Sequence, residues 1–303
     1  DLDAAAPGEL RGHAEPDGSG GVGQKARWPE GARGRARGDA RLGRGVTVRR
    51  GVRRNVVEAD RARGQRGSEG LDHGDREAAA NNATAALADY KAAIAADSSA
   101  EEAYWKASRT LVDLGEYEPD KDKQKELYAE AKEDATKAVA LKPTDPEAHF
   151  SVARAVGRVA LSVGKKERVR FAKEVRTEAL ECLRLDSLHA GANHVMGRWN
   201  AEIMRLSGFS RFMAKNFLGG DVFGTASWAE AVRYMERAVQ LDPNRITHHL
   251  DLAEVYRDRN KPGDIEKAKV QFQAVLDGPI TDFNDAHYKK EARDELDKLE
   301  KKK

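Results

Sequence analysis

Apolar residues from residue 78 onward recur at the three- and four-residue spacing of amphipathic helices. On this period lies a narrower register, in which small or apolar residues follow one another at steps of four, three and five. Its four copies are Ala86, Tyr90, Ala93, Ser98; Ala131, Ala135, Ala138, Pro143; Val175, Ala179, Cys182, Ser187; and Ala231, Met235, Ala238, Pro243. Another helical pattern follows each copy, around Tyr104, His149, Asn193 and His249. Residues 78–300 are therefore predicted to form recurring helix pairs without strands.

Close approach between helices explains the small residues. Alanine at Ala131 or Ala231 lets one helix lie tightly against its neighbour, and the larger residue four positions later fills the adjacent space. Pro143 and Pro243 end the second helix of a pair because proline cannot continue the hydrogen-bond ladder. One pair cannot bury its own apolar face, so pairs must stack. The pattern therefore predicts an all-α, right-handed helical-repeat solenoid.

The stretch "AVRYMERAVQLDPNRITHHLDLAEVYRDRN", residues 231–260, resembles a tetratricopeptide repeat. The spacings between equivalent residues are 45, 44, 56 and 37, all longer than the usual repeat of about 34. Extra residues therefore lie between the helices of a pair, notably in "EYEPDKDKQKEL" and in residues 207–225. We expect an irregular tetratricopeptide-like array.

Two neighbouring segments carry a narrower resemblance. "GRWNAEIMRLSGFSRFMAKNFLGG" and "GTASWAEAVRYMERAVQLDP" are similar to the regulator of microtubule dynamics family, and the likeness extends over about residues 80–300. The resemblance implies irregular tetratricopeptide-like repeats and a scaffold role. Its eukaryotic members are associated with mitochondria, cytoplasm and spindle microtubules, so it also implies a cytoskeletal or organelle-associated function.

The first 77 residues differ chemically from the rest. Residues 31–66 carry twelve arginines against three acidic groups, and residues 1–75 hold sixteen of the 27 glycines and a single lysine. Such a composition cannot bury enough apolar surface to offset its ordering entropy. We predict a disordered Arg/Gly-rich arm at 1–77 and a repeat domain at 78–303.

Two interpretations of this arm remain. Its arginines could follow a phosphate backbone, which makes a nucleic-acid binder the alternative function. Aromatic residues for base stacking are almost absent, with Trp28 alone in the arm. The abrupt change to lysine usage is typical of GC-rich DNA read in another frame, or of an unrelated upstream extension, and this reading is favoured over nucleic-acid binding.

Catalytic and metal-binding motifs are missing from the sequence. It contains no GxSxG, no HExxH and no paired CxxC. The single cysteine, Cys182, occupies a position that alanine usually fills, so a packed thiol is expected. We expect no enzyme activity, metal or cofactor.

Apolar runs are far shorter than the roughly 20 residues that cross a bilayer, so no transmembrane segment is expected. Localisation stays open between cytoplasm, if the chain is complete, and an exported compartment such as the periplasm, if a signal segment precedes it.

The predicted binding site is the concave groove, which the first helix of each pair lines. An arginine follows Tyr104, His149 and Asn193 by five residues, and neighbouring turns add two further cations. The groove residues are Arg109, Arg154, Arg158, His194 and Arg198. Guanidinium groups in a row suit the carboxylates of an acidic protein or peptide partner. Alternatively these arginines pair with acids of adjacent helices, such as Glu102, Glu147 or Glu202.

An aromatic cluster interrupts the third pair. Phe209, Phe212 and Phe217 could contact a membrane or a partner, or the segment could fold back and bury its rings, which is favoured. The helices on either side of it have apolar faces of their own. Residues expected to be largely buried there are Trp199, Leu206, Trp228, Tyr234 and Leu241.

Overall fold

The computed structural model describes residues 64–301, apart from 162, 164, 209, 211 and 213–220. The chain divides into two compact units, Asp1–Gly51 and Val52–Lys303, and every described residue belongs to the second. The described residues form helices joined by turns, without a strand. This confirms the all-α prediction.

The helices have bounds that match the predicted pairs. In chain order they are α1 (64–79), α2 (Ala83–Ala96), α3 (Glu101–Glu116), α4 (Lys121–Leu141), α5 (Pro146–Leu161), α6 (Lys165–Leu185), α7 (Ala190–Arg205), α8 (Trp228–Leu241), α9 (Ile246–Arg259), α10 (Asp264–Asp277) and α11 (Asp285–Lys301). A short 3-10 turn, Asp221–Thr225, precedes α8. The residues that lengthen the repeats extend α4 and α6 and separate α7 from α8.

The helices pack as a stack of pairs. Each odd-numbered helix from α3 to α9 packs against the even-numbered helix that follows it, and that helix packs against the next odd one. Odd-numbered neighbours also contact each other directly, α3 with α5, α5 with α7 and α7 with α9. The odd helices therefore share the inner, concave face of a tetratricopeptide-like solenoid.

The even-numbered helices bury the small-residue register. Ala86, Ala131, Ala179 and Ala231, one on each of α2, α4, α6 and α8, have no exposed surface. Cys182 is also fully buried, and burial raises the pKa of its thiol, so it is a packing residue rather than a nucleophile. The register read from the sequence thus coincides with the contact line between the helices.

The ordered helices begin earlier than residue 78. Helix α1 lies within the predicted arm and packs on α2, where a side chain at Gly74 would collide with the Tyr90 ring. The carboxylate of Asp75 accepts hydrogen bonds from the hydroxyl of Tyr90 at 2.9 Å and from Lys106 at 2.6 and 2.7 Å. Glycine lowers helix propensity but here permits close approach, which composition alone does not reveal. Residues 1–63 lie outside the described residues, and the prediction for them stays a prediction.

The buried positions expected around α7 and α8 are partly confirmed. Trp199 is 6% exposed, its indole N–H donates to the Ala172 carbonyl at 2.7 Å, and its ring packs against Phe223. Trp228, Tyr234 and Leu241 are only half-buried. The prediction for Leu206 was wrong: it is 38% exposed because α7 ends one residue before it and the chain turns outward.

Candidate protein-binding groove

We call the concave face of α3, α5, α7 and α9 the groove. It brings together all five cations predicted from the repeat register: one lies on α3, two on α5 and two on α7. Each of the five contacts at least one carboxylate of a neighbouring odd helix or its cap. They are Arg109, Arg154, Arg158, His194 and Arg198.

Two ion pairs join α3 to α5, and this contact is called the α3–α5 junction. Arg154 pairs with Asp113, and Arg158 pairs with Glu116 at 2.5 Å. Burial alone would lower the pKa of Arg154, but Asp113 and other nearby groups outweigh it and raise that pKa. Arg154 therefore remains charged, with each arginine matched by its own acid.

Arg109 lies at the edge of the same junction. Its guanidinium contacts Glu147 at 3.3 Å, and its carbon centre lies 5.5 Å from the Trp105 ring and 5.9 Å from the Phe150 ring. Both rings therefore offer cation–π contacts. The side chain keeps 31% of its surface exposed. Of the α3 and α5 arginines in the groove, it is the one that a ligand reaches most easily.

At the α7–α9 junction one carboxylate contacts both an arginine and a histidine. Asp251 accepts hydrogen bonds from Arg198 at 2.8 and 2.9 Å and contacts Nε2 of His194 at 2.5 Å. Burial alone would raise the pKa of Asp251, but Arg198 and His194 outweigh it and hold this pKa well below its usual range. The His248 ring packs against His194 in a tilted arrangement with centroids 4.9 Å apart, and burial lowers the pKa of His248. Asp251 is therefore an ionised acid at the bottom of the groove.

Sequence reasoning found the cations and missed most of their partners. Among the acids it named, Glu147 contacts Arg109, Glu202 lies 4.0 Å from Arg198, and Glu102 binds Lys106 instead. The principal partners are Asp113, Glu116 and Asp251, each on a neighbouring odd helix. It also missed Arg205, which lies seven residues after Arg198 and binds Asp258 at 2.6 Å. The seven-residue spacing of Arg198 and Arg205 was a signal that could have found it.

Two histidines at equivalent repeat positions join the helices of a pair, and their spacing of six residues from a proline was a usable signal. His149 contacts the Pro143 carbonyl at 2.9 Å and Glu178 at 2.6 Å. His249 contacts the Pro243 carbonyl at 2.9 Å and Gln271 at 2.7 Å. Both are therefore structural links rather than ligands for a metal.

The aromatic segment is only partly described. Phe209 and Phe217 lie outside the described residues, so their predicted contact with a membrane or partner stays a prediction. Phe212 is 56% exposed, whereas Phe223, farther along, is 7% exposed and lies against Trp199.

Other kinds of site are scarce in the described chain. No group of three or more His, Cys, Asp and Glu side chains among these residues could hold a metal ion. None of the described helices combines the length and apolarity that crossing a bilayer requires. A shallow cleft between the start of α7 and α8 contains none of the five groove cations. Its lining residues are Ser187, Asn193, Arg233, Glu236, Arg237 and Gln240.

Comparison with known proteins identifies the family. The family model described as regulator of microtubule dynamics protein 1-3 matches residues 70–300, and the chain belongs to this family. No curated protein matches the chain by sequence.

Comparison with solved structures adds two tetratricopeptide-type or similar neighbours, of which the first supports the fold. A thermophilic TPR protein of Thermus thermophilus, TTC0263, is 18% identical with a TM-score of 0.51, over 75% of this chain and 98% of that one. MamA (41-end) from Desulfovibrio magneticus RS-1 is 16% identical with a TM-score of 0.40, over 71% of this chain and 95% of that one. The likeness to the Thermus protein shows a tetratricopeptide-like fold.

Proposed function

We propose that this member of the regulator of microtubule dynamics family is a non-catalytic interaction scaffold whose groove binds a peptide segment of another protein. The observation that carries the proposal is the alignment of four arginines and one histidine along one concave face, built from four successive odd helices. Stacked helix pairs create extended concave surfaces of this kind for binding. Family membership supports a cytoskeletal or organelle-associated role for the complex.

The partner segment is proposed to be acidic. Arg109 and Arg198 keep 31% and 39% of their side chains exposed, and they lie on the first and third helices of the groove, α3 and α7. Their partly exposed partners, Glu147 and Glu202, are 35% and 52% exposed. A carboxylate of a ligand can join or replace these two acids without disturbing the more deeply buried pairs of Arg154 and Arg158.

A peptide array tests this proposal. The labelled full chain is applied to immobilised peptides of graded acidity, at low and at physiological salt. Binding should favour acidic peptides and weaken as salt rises, because exposed charges are screened beyond about 8 Å at physiological ionic strength. Arg109→Gln should weaken binding several-fold, which corresponds to a loss of about 1 kcal/mol. The matched control is Arg233→Gln, since Arg233 is exposed, pairs with Glu230 and lies outside the groove.

Deletion of residues 1–63 separates this function from the nucleic-acid alternative. Peptide binding should survive the deletion, whereas a binder that uses the basic arm would lose its affinity for single-stranded RNA or DNA. Acidic-peptide binding that Arg109→Gln leaves unchanged, or that the deletion abolishes, would contradict the groove proposal.

A further inference from the structure

The groove already holds a segment of its own chain. Helix α11 packs on α10 through Ala292 and Leu299, and the opposite side of α11 reaches α3, more than 170 residues earlier in the sequence. A solenoid repeat ordinarily contacts only its neighbours. Helix α11 therefore continues the stack through its contacts with α9 and α10, and it also reaches across the groove to α3.

Side chains spaced at one-turn intervals make this contact. The amide of Asn284 donates to the Asp113 carbonyl at 2.9 Å, and the hydroxyl of Tyr288 donates to Glu116 at 2.9 Å. Each contacted residue of α3 also holds an α5 arginine through its carboxylate. The part of α3 that α11 contacts is therefore also held by the ion pairs of the α3–α5 junction.

Tyr117, which directly follows α3, contacts the next turn of α11. Its hydroxyl donates to Glu291 at 2.8 Å, and its ring stacks on His287 with centroids 4.0 Å apart and planes 15° apart. Both Glu291 and His287 are largely exposed. These two contacts of Tyr117 lie at a solvated edge, whereas Asn284 and Tyr288 are buried, at 2% and 7% exposure, and Tyr288 is part of the apolar core that α11 shares with α10.

An acidic residue that precedes α11, Asp282, lies near three arginines of the repeat domain. Asp282 forms an ion pair with Arg245, the residue before α9. Burial alone would raise the pKa of Asp282. The positive charges of Arg245, Arg154 and Arg109 outweigh burial and lower this pKa below its ordinary value. Two of these three cations belong to the row predicted to bind an acidic ligand.

We propose that residues 282–291 are an internal ligand of the groove, and that a partner helix with the same stripe replaces them. The stripe consists of an aspartate and an asparagine before the helix, then a tyrosine and a glutamate one turn apart, as in Asp282, Asn284, Tyr288 and Glu291. This inference rests on the proposed function and adds the chemistry and the helical form of the partner segment.

The test uses the full chain and a fluorescent synthetic peptide of residues 280–301 as the probe. In the wild type, the tethered segment competes at an effective concentration of about millimolar, so the peptide should bind weakly. The double variant Asp282→Asn/Tyr288→Phe weakens the tethered segment while keeping its shape. Anisotropy should show about tenfold tighter peptide binding to this variant. A peptide that carries the same two changes should bind the variant at least about tenfold more weakly than the unaltered peptide.

The matched control is Lys290→Gln/Asp297→Asn, which changes two exposed residues of α11 outside the stripe and should behave as the wild type. Equal binding of the native peptide by the wild type and the Asp282→Asn/Tyr288→Phe variant would overturn the inference. So would equal binding of the native and altered peptides. If the variant fails to fold, amide hydrogen exchange of the wild type decides: saturating peptide should speed exchange in 285–291 and leave α10 unchanged. Unchanged exchange in 285–291 would overturn the inference.

The outcomes also distinguish this inference from the proposed function. A chain that binds acidic array peptides but not its own C-terminal peptide refutes the internal ligand alone. A variant whose 285–291 segment exchanges rapidly but which binds neither probe refutes both.

Discussion

The α3–α5 and α7–α9 junctions solve the same electrostatic problem in different ways. At the α3–α5 junction each arginine has its own acid, and α11 adds hydrogen-bond donors to this wall. At the α7–α9 junction a single buried carboxylate, Asp251, serves both Arg198 and His194. At the α3–α5 junction the paired arginines, Arg154 and Arg158, lie on the later helix, α5. At the α7–α9 junction Arg198 lies on the earlier helix, α7. The two junctions therefore differ in how their charges are paired, and breaking each one should lower the free energy of unfolding by a different amount.

One of the two largest effects is expected at Trp199, which lies on a different face of α7 from Arg198 and sets the scale for the charged face. Trp199→Ala removes a buried ring that fills the space between α7, Ala172 and Phe223. The resulting cavity should lower the free energy of unfolding by about 3–5 kcal/mol. Urea denaturation followed by circular dichroism measures it, and a loss below about 1 kcal/mol would show that the ring does not pack in the core.

Neutralising the shared acid tests the comparison itself. Asp251→Asn leaves Arg198 without its buried counter-charge and weakens the contact with His194, so the expected loss is about 3–5 kcal/mol. Asp113→Asn leaves a single arginine, Arg154, which an asparagine carbonyl can still accept from, and it should cost about 1.5–3 kcal/mol. Equal losses in denaturant titrations of the two variants would break the comparison between the junctions.

A pH titration probes a link inside the α5–α6 pair. Burial alone would lower the pKa of His149, but hydrogen bonds with Glu178 and with the Pro143 carbonyl outweigh it and raise that pKa. A raised folded-state pKa contributes stability that is present below the unfolded value of about 6.5 and is lost as pH rises through the folded value. Wild-type stability should therefore fall as the pH rises above about 6.5, and His149→Gln should remove this part of the slope. Glu178→Gln should reproduce the His149→Gln profile, and a slope unchanged in both variants would refute the link.

The smallest effect is expected where charge and geometry are nearly preserved. Arg198→Lys keeps a cation beside Asp251 but loses the guanidinium that both carboxylate oxygens contact. The change should cost about 1 kcal/mol. A loss as large as that of Asp251→Asn would mean that guanidinium geometry, and not charge, holds the α7–α9 junction.

The helices could be predicted from the sequence, but the contacts between helices that are distant along the chain could not. Small residues such as Ala131 and Ala231 identified the packed faces of the even helices, because close approach tolerates few other side chains. The five-residue offset also placed Arg109, Arg154 and Arg198 on one face. The pairing of these arginines depends on the twist between repeats, which decides whether Asp113 or Asp251 faces them. That twist is a property of the stack and not of any single repeat.

The closing helix was beyond sequence reasoning for a related reason. Its contacts with Glu116 and Tyr117 join segments more than 170 residues apart, and no local spacing encodes how far a solenoid must curl to bring them together. Helix α1 was missed for a different reason. Its glycines lower local helix propensity, but in the folded chain they let Tyr90 and Ala93 of α2 lie close to α1.

Amide hydrogen exchange with a bound acidic peptide tests the central claim most directly. The account predicts slower exchange in α3, α5, α7 and α9 when the peptide is added, with α2, α4, α6, α8 and α10 unchanged, because only the odd helices line the groove. Protection confined to the even-numbered helices, or to residues 1–63, would contradict it.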